Sequence, residues 1–260
     1  KKGFDYNHFG FDKIDADLSN LEVSGDTFQI DILGLACQEK YTRLPVRYLS
    51  TLFRLTPVSM EFRKLDFIVG KSHIRDSISF HFKDIDDMDL FEEKIKIRSR
   101  LTNTYLHTDD LSWFAPELKV YNDRWKISGN VTGKISQLEV KDFDVQFGKK
   151  NNTLKGNITL TGLPRFDETF INLSLNKSTF FSEDVNHYIK DSDVKNIVNA
   201  FKKTTCTGKF IGFPEDFVAH ADFYTEIGFL RSDINVKLAY DSLKGSLVTK
   251  NFNIGKIVHS

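Results

Sequence analysis

Ten residues in the middle of the chain are the clearest guide to its fold class: Lys126-Ile127-Ser128-Gly129-Asn130-Val131-Thr132-Gly133-Lys134-Ile135. Apolar or small residues alternate here with polar ones, a period of two that is typical of a β-strand with one buried and one wet face. The same alternation recurs in 77–83, 94–98, 142–147, 154–161 and 170–175. Turn residues follow one another about every 8–12 residues, as in sandwiches, barrels and meandering sheets. We predict a mostly β, antiparallel protein of roughly fourteen strands.

The composition argues against several classes of protein. The 260 residues contain 36 Lys+Arg and 36 Asp+Glu, whereas nucleic-acid-binding proteins normally show a basic excess. The mean hydropathy is −0.33, and no apolar run reaches the roughly 18 residues of a membrane-spanning helix. Yet there are 24 Phe, and these rings favour apolar neighbours. The apolar residues must therefore be interleaved with polar ones.

Two stretches break the strand pattern. Residues 109–115 begin with acidic side chains and precede Pro116, so we expect a short helix there that stops at the proline. Residues 192–201 have apolar side chains at helical spacing, with Ser192 as the expected cap and another turn at 183–189. We expect this helix to pack on the core, or to close one end of a sheet. The chain is predicted to be a single elongated segment over 1–260, with a possible weak subdivision near 105–125.

No pattern of catalytic or metal-binding residues stands out. The sequence has no Gly-rich phosphate loop, nucleophile elbow or pair of His flanking Glu on a helix. His107 with its acidic neighbours, and the acidic run 84–89, resemble metal sites only superficially, since the run lacks the glycine of a calcium loop. Cys37 and Cys206 are too isolated for zinc and are expected to be buried thiols, with one disulfide as the alternative. We predict no enzyme activity, no cofactor and no metal.

The remaining candidate site is the apolar phase of the strands. Alternation alone is compatible with a closed sandwich, which is the commoner arrangement, and with a sheet curled into a trough whose apolar face lines a groove. An apolar groove suits acyl chains, because the hydrophobic effect is non-directional and needs few polar partners. The predicted groove residues are Phe80, Phe82, Val131, Ile135, Val145, Phe147, Ile158, Leu160, Ile171 and Leu173.

Several motifs resemble those of the TamB family of Gram-negative envelope proteins, as it occurs in Bacteroidota. They are residues 110–118, 127–135, 147–148, 154–156, 162–164, 168–171, 212–219 and 252–256. The likeness covers most of 50–257 and is looser before about residue 95. These motifs are structural and contain no catalytic groups, so they indicate a family more specifically than a mechanism.

The resemblance implies a fold, a setting and partners. TamB proteins belong with the AsmA-like, bridge-like lipid-transfer proteins, whose long curled antiparallel sheet forms a taco-like β-groove. They are anchored in the inner membrane, cross the periplasm and meet an Omp85-type outer-membrane barrel (TamA-like). Phospholipid transport and outer-membrane protein assembly are their assigned roles. We expect this chain to be an internal periplasmic segment, without the regions that hold the anchor and the barrel partner.

Two other functions remain open. A β-sandwich module with a closed core would bind protein or glycan through loop aromatics such as Trp113, Phe114, Tyr121 and Trp125. An enzyme on a jelly roll would need two carboxylates converging in a cleft. No pair in the sequence stands out for that role.

Overall fold

The strands of the protein form one antiparallel sheet. In the computed structural model, residues 10–112, 116–240 and 242–258 are described. They contain fourteen strands, each neighbouring the next along the chain. The strands are β1 Phe11–Ser24, β2 Thr27–Glu39, β3 Pro45–Thr56, β4 Ser59–Val69, β5 Ser72–His81, β6 Lys96–His107, β7 Arg124–Lys134, β8 Gln137–Phe147, β9 Asn152–Thr161, β10 Phe170–Phe181, β11 Lys203–Phe213, β12 Asp216–Thr225, β13 Gly228–Lys237 and β14 Ser242–Lys250. The mostly β prediction and its number of strands are confirmed.

The helices are short, and all except α5, which follows the last strand, lie between strands. They are α1 Phe91–Lys94, α2 Thr108–Leu111, α3 Ser182–Val185, α4 Ser192–Phe201 and α5 Gly255–Val258, with 3-10 helices at Ile85–Leu90, Pro116–Val120, Phe166–Glu168, Asn186–Tyr188 and Leu238–Tyr240. The helix predicted at 192–201 is present. Its cap is Asp191 and not Ser192, because the Asp191 carboxylate accepts from two backbone N–H groups of the first turn.

The helix predicted at 109–115 differs from the structure. Helix α2 begins at Thr108 and ends at Leu111, and residues 113–115 lie outside the described residues. Pro116 starts a 3-10 helix instead of ending an α-helix, which agrees with the tolerance of proline at a first helical position. Among the described residues, no helix has both the length and the apolar character to cross a membrane.

The chain divides into two compact units, Lys1–Leu138 (unit 1) and Glu139–Ser260 (unit 2). This division falls after the 105–125 region in which a weak subdivision was predicted. In unit 1 the register places one set of apolar side chains on the same side of neighbouring strands. This apolar face of unit 1 consists of Phe28, Ile30, Phe53, Leu55, Met60, Phe62, Ile78, Phe80, Ile97 and Val131.

The long strands of unit 1 contain β-bulges, which change the residues that face each side of the sheet. The bulges keep the same side apolar where the sequence alternation changes phase. In β4 the register shifts between Arg63 and Leu65, and Lys64 at the shift has a φ of 51°. The extra residue moves the apolar phase from Phe62 to Leu65 and Phe67. Asn103, with a φ of 50°, lies at the corresponding shift in β6.

In unit 2 the pairing is more regular. From β11 to β14 the register runs without a shift. The apolar face of unit 2 consists of Ile158, Leu160, Ile171, Leu173, Phe210, Phe217, Ala219, Phe223, Ile234, Val236, Leu243 and Leu247.

Three strand boundaries correct the sequence prediction. Strand β5 ends at His81, so Phe82 lies beyond it, where its backbone N–H donates to the carbonyl of Val58. Strand β7 ends at Lys134, which leaves Ile135 in the turn before β8. Lys94 belongs to helix α1, and β6 begins only at Lys96. In the first two cases the chain turns before the alternation of the sequence ends, and in the third the alternation begins before the strand does.

Candidate functional site

A row of phenylalanine rings crosses the apolar face of unit 1. The ring centroids of Phe28 and Phe53 are 6.2 Å apart, those of Phe53 and Phe62 are 5.1 Å apart, and those of Phe62 and Phe80 are 6.3 Å apart. Since these rings belong to β2, β3, β4 and β5, the row runs across the strands. At its end Phe91 of helix α1 contacts Phe80, with centroids 5.5 Å apart. All five rings are half-buried.

Partial burial is the feature that distinguishes these faces from a core. Rings that face inward in a closed sandwich lose nearly all contact with water. Among the described residues, the buried apolar side chains are only Cys37, Leu65, Phe82, Ile95, Phe201, Cys206, Ile227 and Val236. Most of the apolar face of each unit therefore retains contact with water.

The apolar face of unit 2 extends to the exposed edge of the sheet. Phe210 and Phe217 stack with centroids 4.6 Å apart. In the edge strand β14, Leu243 and Leu247 are 70% and 65% exposed. Val236 in the neighbouring strand β13 is buried, so the strong exposure of this face is confined to β14 itself.

Strand β8 adds two more side chains to this face. Val145 and Phe147 alternate with Asp144 and Gln146. The Asp144 carboxylate pairs at 2.9 Å with the ammonium of Lys155, which lies on the polar side of β9. Because alternate residues point to opposite sides of a strand, Val145 and Phe147 lie on the apolar side.

The structure places the ten predicted groove residues in two groups. Phe80 and Val131 lie on the apolar face of unit 1, whereas Phe82 and Ile135 lie outside its strands. Val145, Phe147, Ile158, Leu160, Ile171 and Leu173 lie together on the apolar side of unit 2. Phe82 is buried, with 6% of its surface exposed, and the other nine are half-buried.

Charged pairs cover the opposite, polar side of the strands. In unit 2 the Arg231 guanidinium binds both carboxylate oxygens of Asp222, at 2.6 and 2.7 Å. This hydrogen bonding lowers the pKa of Asp222 and raises that of Arg231. In unit 1 Arg100 pairs with Asp76 at 3.3 Å. Each unit therefore presents one charged side and one apolar side.

The sequence reasoning missed an apolar patch on the polar side of unit 2. Phe170 and Phe213 are in edge-to-face contact, with centroids 5.4 Å apart, and are 38% and 42% exposed. Ile211 and Val218 are paired across β11 and β12 and are 44% and 47% exposed. The run Phe210-Ile211-Gly212-Phe213 is apolar in both phases, which is the signal that could have indicated the patch.

The acidic sequences that resembled metal sites have structural roles. The Asp87 carboxylate accepts from the Lys83 backbone and pairs with Lys94 at 2.8 Å, which lowers the pKa of Asp87. His107 accepts through Nδ1 from the Asp109 backbone. Within the described ranges, His, Cys, Asp and Glu side chains nowhere gather in threes that could hold a metal ion.

The structure also describes both cysteines and two of the four aromatic residues predicted to lie in loops. Cys37 and Cys206 are free and buried, as predicted, and burial raises the pKa of both thiols. Trp113 and Phe114 lie outside the described residues. Tyr121 follows a 3-10 helix and Trp125 lies within β7, and both are half-buried.

Comparisons with protein-family models, with curated proteins and with solved structures find no match for this chain. The site is therefore defined by its own geometry. In each unit it is an incompletely buried apolar face, backed by a charged side.

Proposed function

We propose that this protein shields lipid acyl chains along the apolar faces of its two units, as a periplasmic segment of a TamB-like bridge. The observation that carries the proposal is the row of half-buried Phe rings from Phe28 to Phe91 in unit 1. An extended apolar surface without converging polar groups suits a long, flexible and chemically uniform ligand.

The energetics support a lipid as the ligand. Removing a methylene from water contributes about 0.8 kcal/mol. An acyl chain of ten methylenes lying on one open face, with about half of its surface covered, would gain about 4 kcal/mol before the entropic cost of ordering it. Apolar contacts lack directionality, so the acyl chain can also move along the apolar face.

The family resemblance supplies the setting of the proposal. Within a TamB-like bridge, the segment would guide phospholipids from the inner towards the outer membrane and assist the assembly of outer-membrane proteins. Its partners would be phospholipid acyl chains and, through other regions of the protein, an Omp85-type barrel. The shielding role requires no catalytic group, cofactor or metal.

The first prediction concerns phospholipid that remains bound during purification. We expect at least one phospholipid per chain in native mass spectrometry of the unaltered protein. Ile158→Asp should lower this amount at least fivefold, because it places a charge on the apolar face of unit 2 next to Leu173. Thr159→Asp is the matched control, since Thr159 is the next residue of β9 and lies on the polar side.

Thermal unfolding of both variants shows whether each is folded before lipid is counted. The proposal is overturned if the unaltered protein carries no phospholipid. Equal loss of lipid in two folded variants would also contradict it, because the polar side would then matter as much as the apolar side.

A further inference from the structure

A helical segment of unit 2 leaves the sheet after β10 and returns at β11. Its two ends meet, because the backbone N–H of Ser182 donates to the carbonyl of Lys202 at 2.9 Å. The third residue of helix α3, Asp184, fixes the segment to the turn between β8 and β9. One carboxylate oxygen of Asp184 accepts from the Lys150 backbone at 2.7 Å and from the Asn152 side chain at 2.8 Å. We call these contacts the Asp184 latch.

The latch is closely packed. Asn152 is fully buried, and its side chain also donates to the carbonyl of Phe147 and accepts from the backbone of Phe181. Gly148 has a φ of 72°, and a Cβ there would lie 2.6 Å from the Asp184 carboxylate. The turn therefore needs glycine both for its conformation and for space.

Unit 1 contains the same arrangement. Asp110, the third residue of helix α2, accepts from the Lys71 backbone at 2.8 Å and from the Ser72 hydroxyl at 2.6 Å. The Ser72 hydroxyl accepts from the backbone of His107 at 2.9 Å, as Asn152 does from Phe181. Gly70 lies against the Asp110 carboxylate, as Gly148 lies against Asp184.

The match continues into the neighbouring strands. The backbone N–H of Arg75 donates to the Thr104 hydroxyl at 3.0 Å, and that of Lys155 donates to the Ser178 hydroxyl at 3.0 Å. Both hydroxyl residues are fully buried. In both units the first helix residue also donates its N–H to the carbonyl of the residue before the next strand. Strands β5 and β6, helix α2 and strand β7 of unit 1 thus correspond to strands β9 and β10, helix α3 and strand β11 of unit 2.

The helical segment of unit 2 has two features of its own, a ring contact with the apolar face and the helix α4. Its Tyr188 ring lies against Phe147, with centroids 6.1 Å apart, and so covers one end of the apolar face of unit 2. It also contains α4, in which Val194 and Ile197 are 45% and 38% exposed. A ligand can shift such a segment between a closed and an open position only if it interacts differently with the two. Val194 and Ile197 of α4 provide an exposed apolar surface that a lipid can contact.

We propose that residues 182–202 are a lid over the apolar face of unit 2, held shut by the Asp184 latch. Opening of the latch uncovers Phe147 and lets an acyl chain enter or leave. This inference rests on the proposed function, because it assigns to the lid the control of lipid exchange. The Asp110 latch of unit 1 provides the comparison within the same protein, because the described residues of the segment it holds form no helix as long as α4.

The test weakens the Asp184 latch and compares it with the Asp110 latch. Asp184→Ala should raise amide hydrogen exchange within 183–201 at least tenfold, because two hydrogen bonds to the carboxylate are lost. It should also speed the transfer of a preloaded fluorescent phospholipid to phosphatidylcholine vesicles at least threefold. Asp110→Ala should change neither quantity.

A second variant removes the contact by which the lid covers the apolar face. Tyr188→Ala deletes the ring that lies against Phe147 and should speed phospholipid transfer at least twofold, because Phe147 is then uncovered while the Asp184 latch stays closed. Unchanged hydrogen exchange in Asp184→Ala would overturn the latch. Faster hydrogen exchange without faster transfer, or unchanged transfer in Tyr188→Ala, would overturn the lid while the proposed function stands.

An unaltered protein that takes up no fluorescent phospholipid would overturn the proposed function and with it the gating role of the lid. The two failures are distinguishable, because hydrogen exchange requires no lipid.

Discussion

At the scale of single residues, Glu39 shows how one carboxylate orders a turn. The Thr42 hydroxyl donates to it at 2.6 Å, and the backbone N–H groups of Thr42 and Tyr41 donate at 2.5 and 3.0 Å. These hydrogen bonds, that of the Thr42 side chain above all, lower the pKa of Glu39 to about 2. The carboxylate is therefore ionised in the folded protein at all but strongly acidic pH.

This pKa predicts a pH-dependent stability. The folded-state pKa lies below the unfolded value of about 4.3, so ionised Glu39 stabilises the fold above that pH and loses its effect as the pH falls towards about 2. We expect Glu39→Gln to lower the melting temperature at pH 7. The difference from the unaltered protein should shrink as the pH falls from about 4.5 to about 2.

Thermal unfolding across this pH range measures the effect. Glu22→Gln is the control, because Glu22 is exposed on the edge strand β1. A constant difference between Glu39→Gln and the unaltered protein at every pH would contradict the role of the ionised carboxylate.

At the scale of elements, the structure assigns the N-cap of helix α4 to Asp191 and not to Ser192, and this assignment can be tested. The Asp191 carboxylate accepts from the backbone N–H groups of Asp193 and Val194, both at 2.9 Å. Loss of such a cap costs about 1 kcal/mol. We expect Asp191→Ala to lower the protection of the amides at 194–198 about fivefold in hydrogen exchange, since 1 kcal/mol corresponds to roughly that factor.

Ser192→Ala is the matched control for this cap. Sequence reasoning assigned the cap to Ser192, which is the first helical residue in the structure. An effect of Ser192→Ala equal to that of Asp191→Ala would show that the helix starts one residue later than described.

The strands could be predicted from the sequence because their alternation is local. Stretches such as 154–161 and 170–175 lie entirely within strands β9 and β10. The ends were less predictable, since Phe82 and Ile135 continue the alternation while the chain already turns. Bulges such as that at Lys64 also shift the apolar phase within one strand, which a strict period of two does not anticipate.

The two latches were invisible in the sequence for a chemical reason. Equivalent positions carry different residues that supply equivalent hydrogen-bonding groups, as with Ser72 and Asn152, or Thr104 and Ser178. The two aspartates, the glycines of the turns and the lysines whose backbone N–H groups donate to the aspartates are shared. Because the match is one of hydrogen bonds between distant residues, it becomes visible only when the strands are paired.

At the scale of the whole molecule, the 24 Phe acquire a clear interpretation. Among the described residues only Phe82 and Phe201 are buried Phe side chains, while rings such as Phe62 and Phe217 line incompletely buried faces. The sequence could indicate an apolar phase in each strand. It could not show whether that phase was covered, because burial depends on what packs against a face and not on the alternation itself.

The most direct test of the account places a photoreactive benzoylphenylalanine on either side of the same strand. Position 62 lies on the apolar face of unit 1 and position 63 on its polar side, while positions 173 and 174 form the same comparison in unit 2. We predict phospholipid adducts at 62 and 173 after illumination in cells, and none at 63 and 174. Adducts at neither apolar position, or equal adducts on both sides, would contradict the claim that the apolar faces carry lipid.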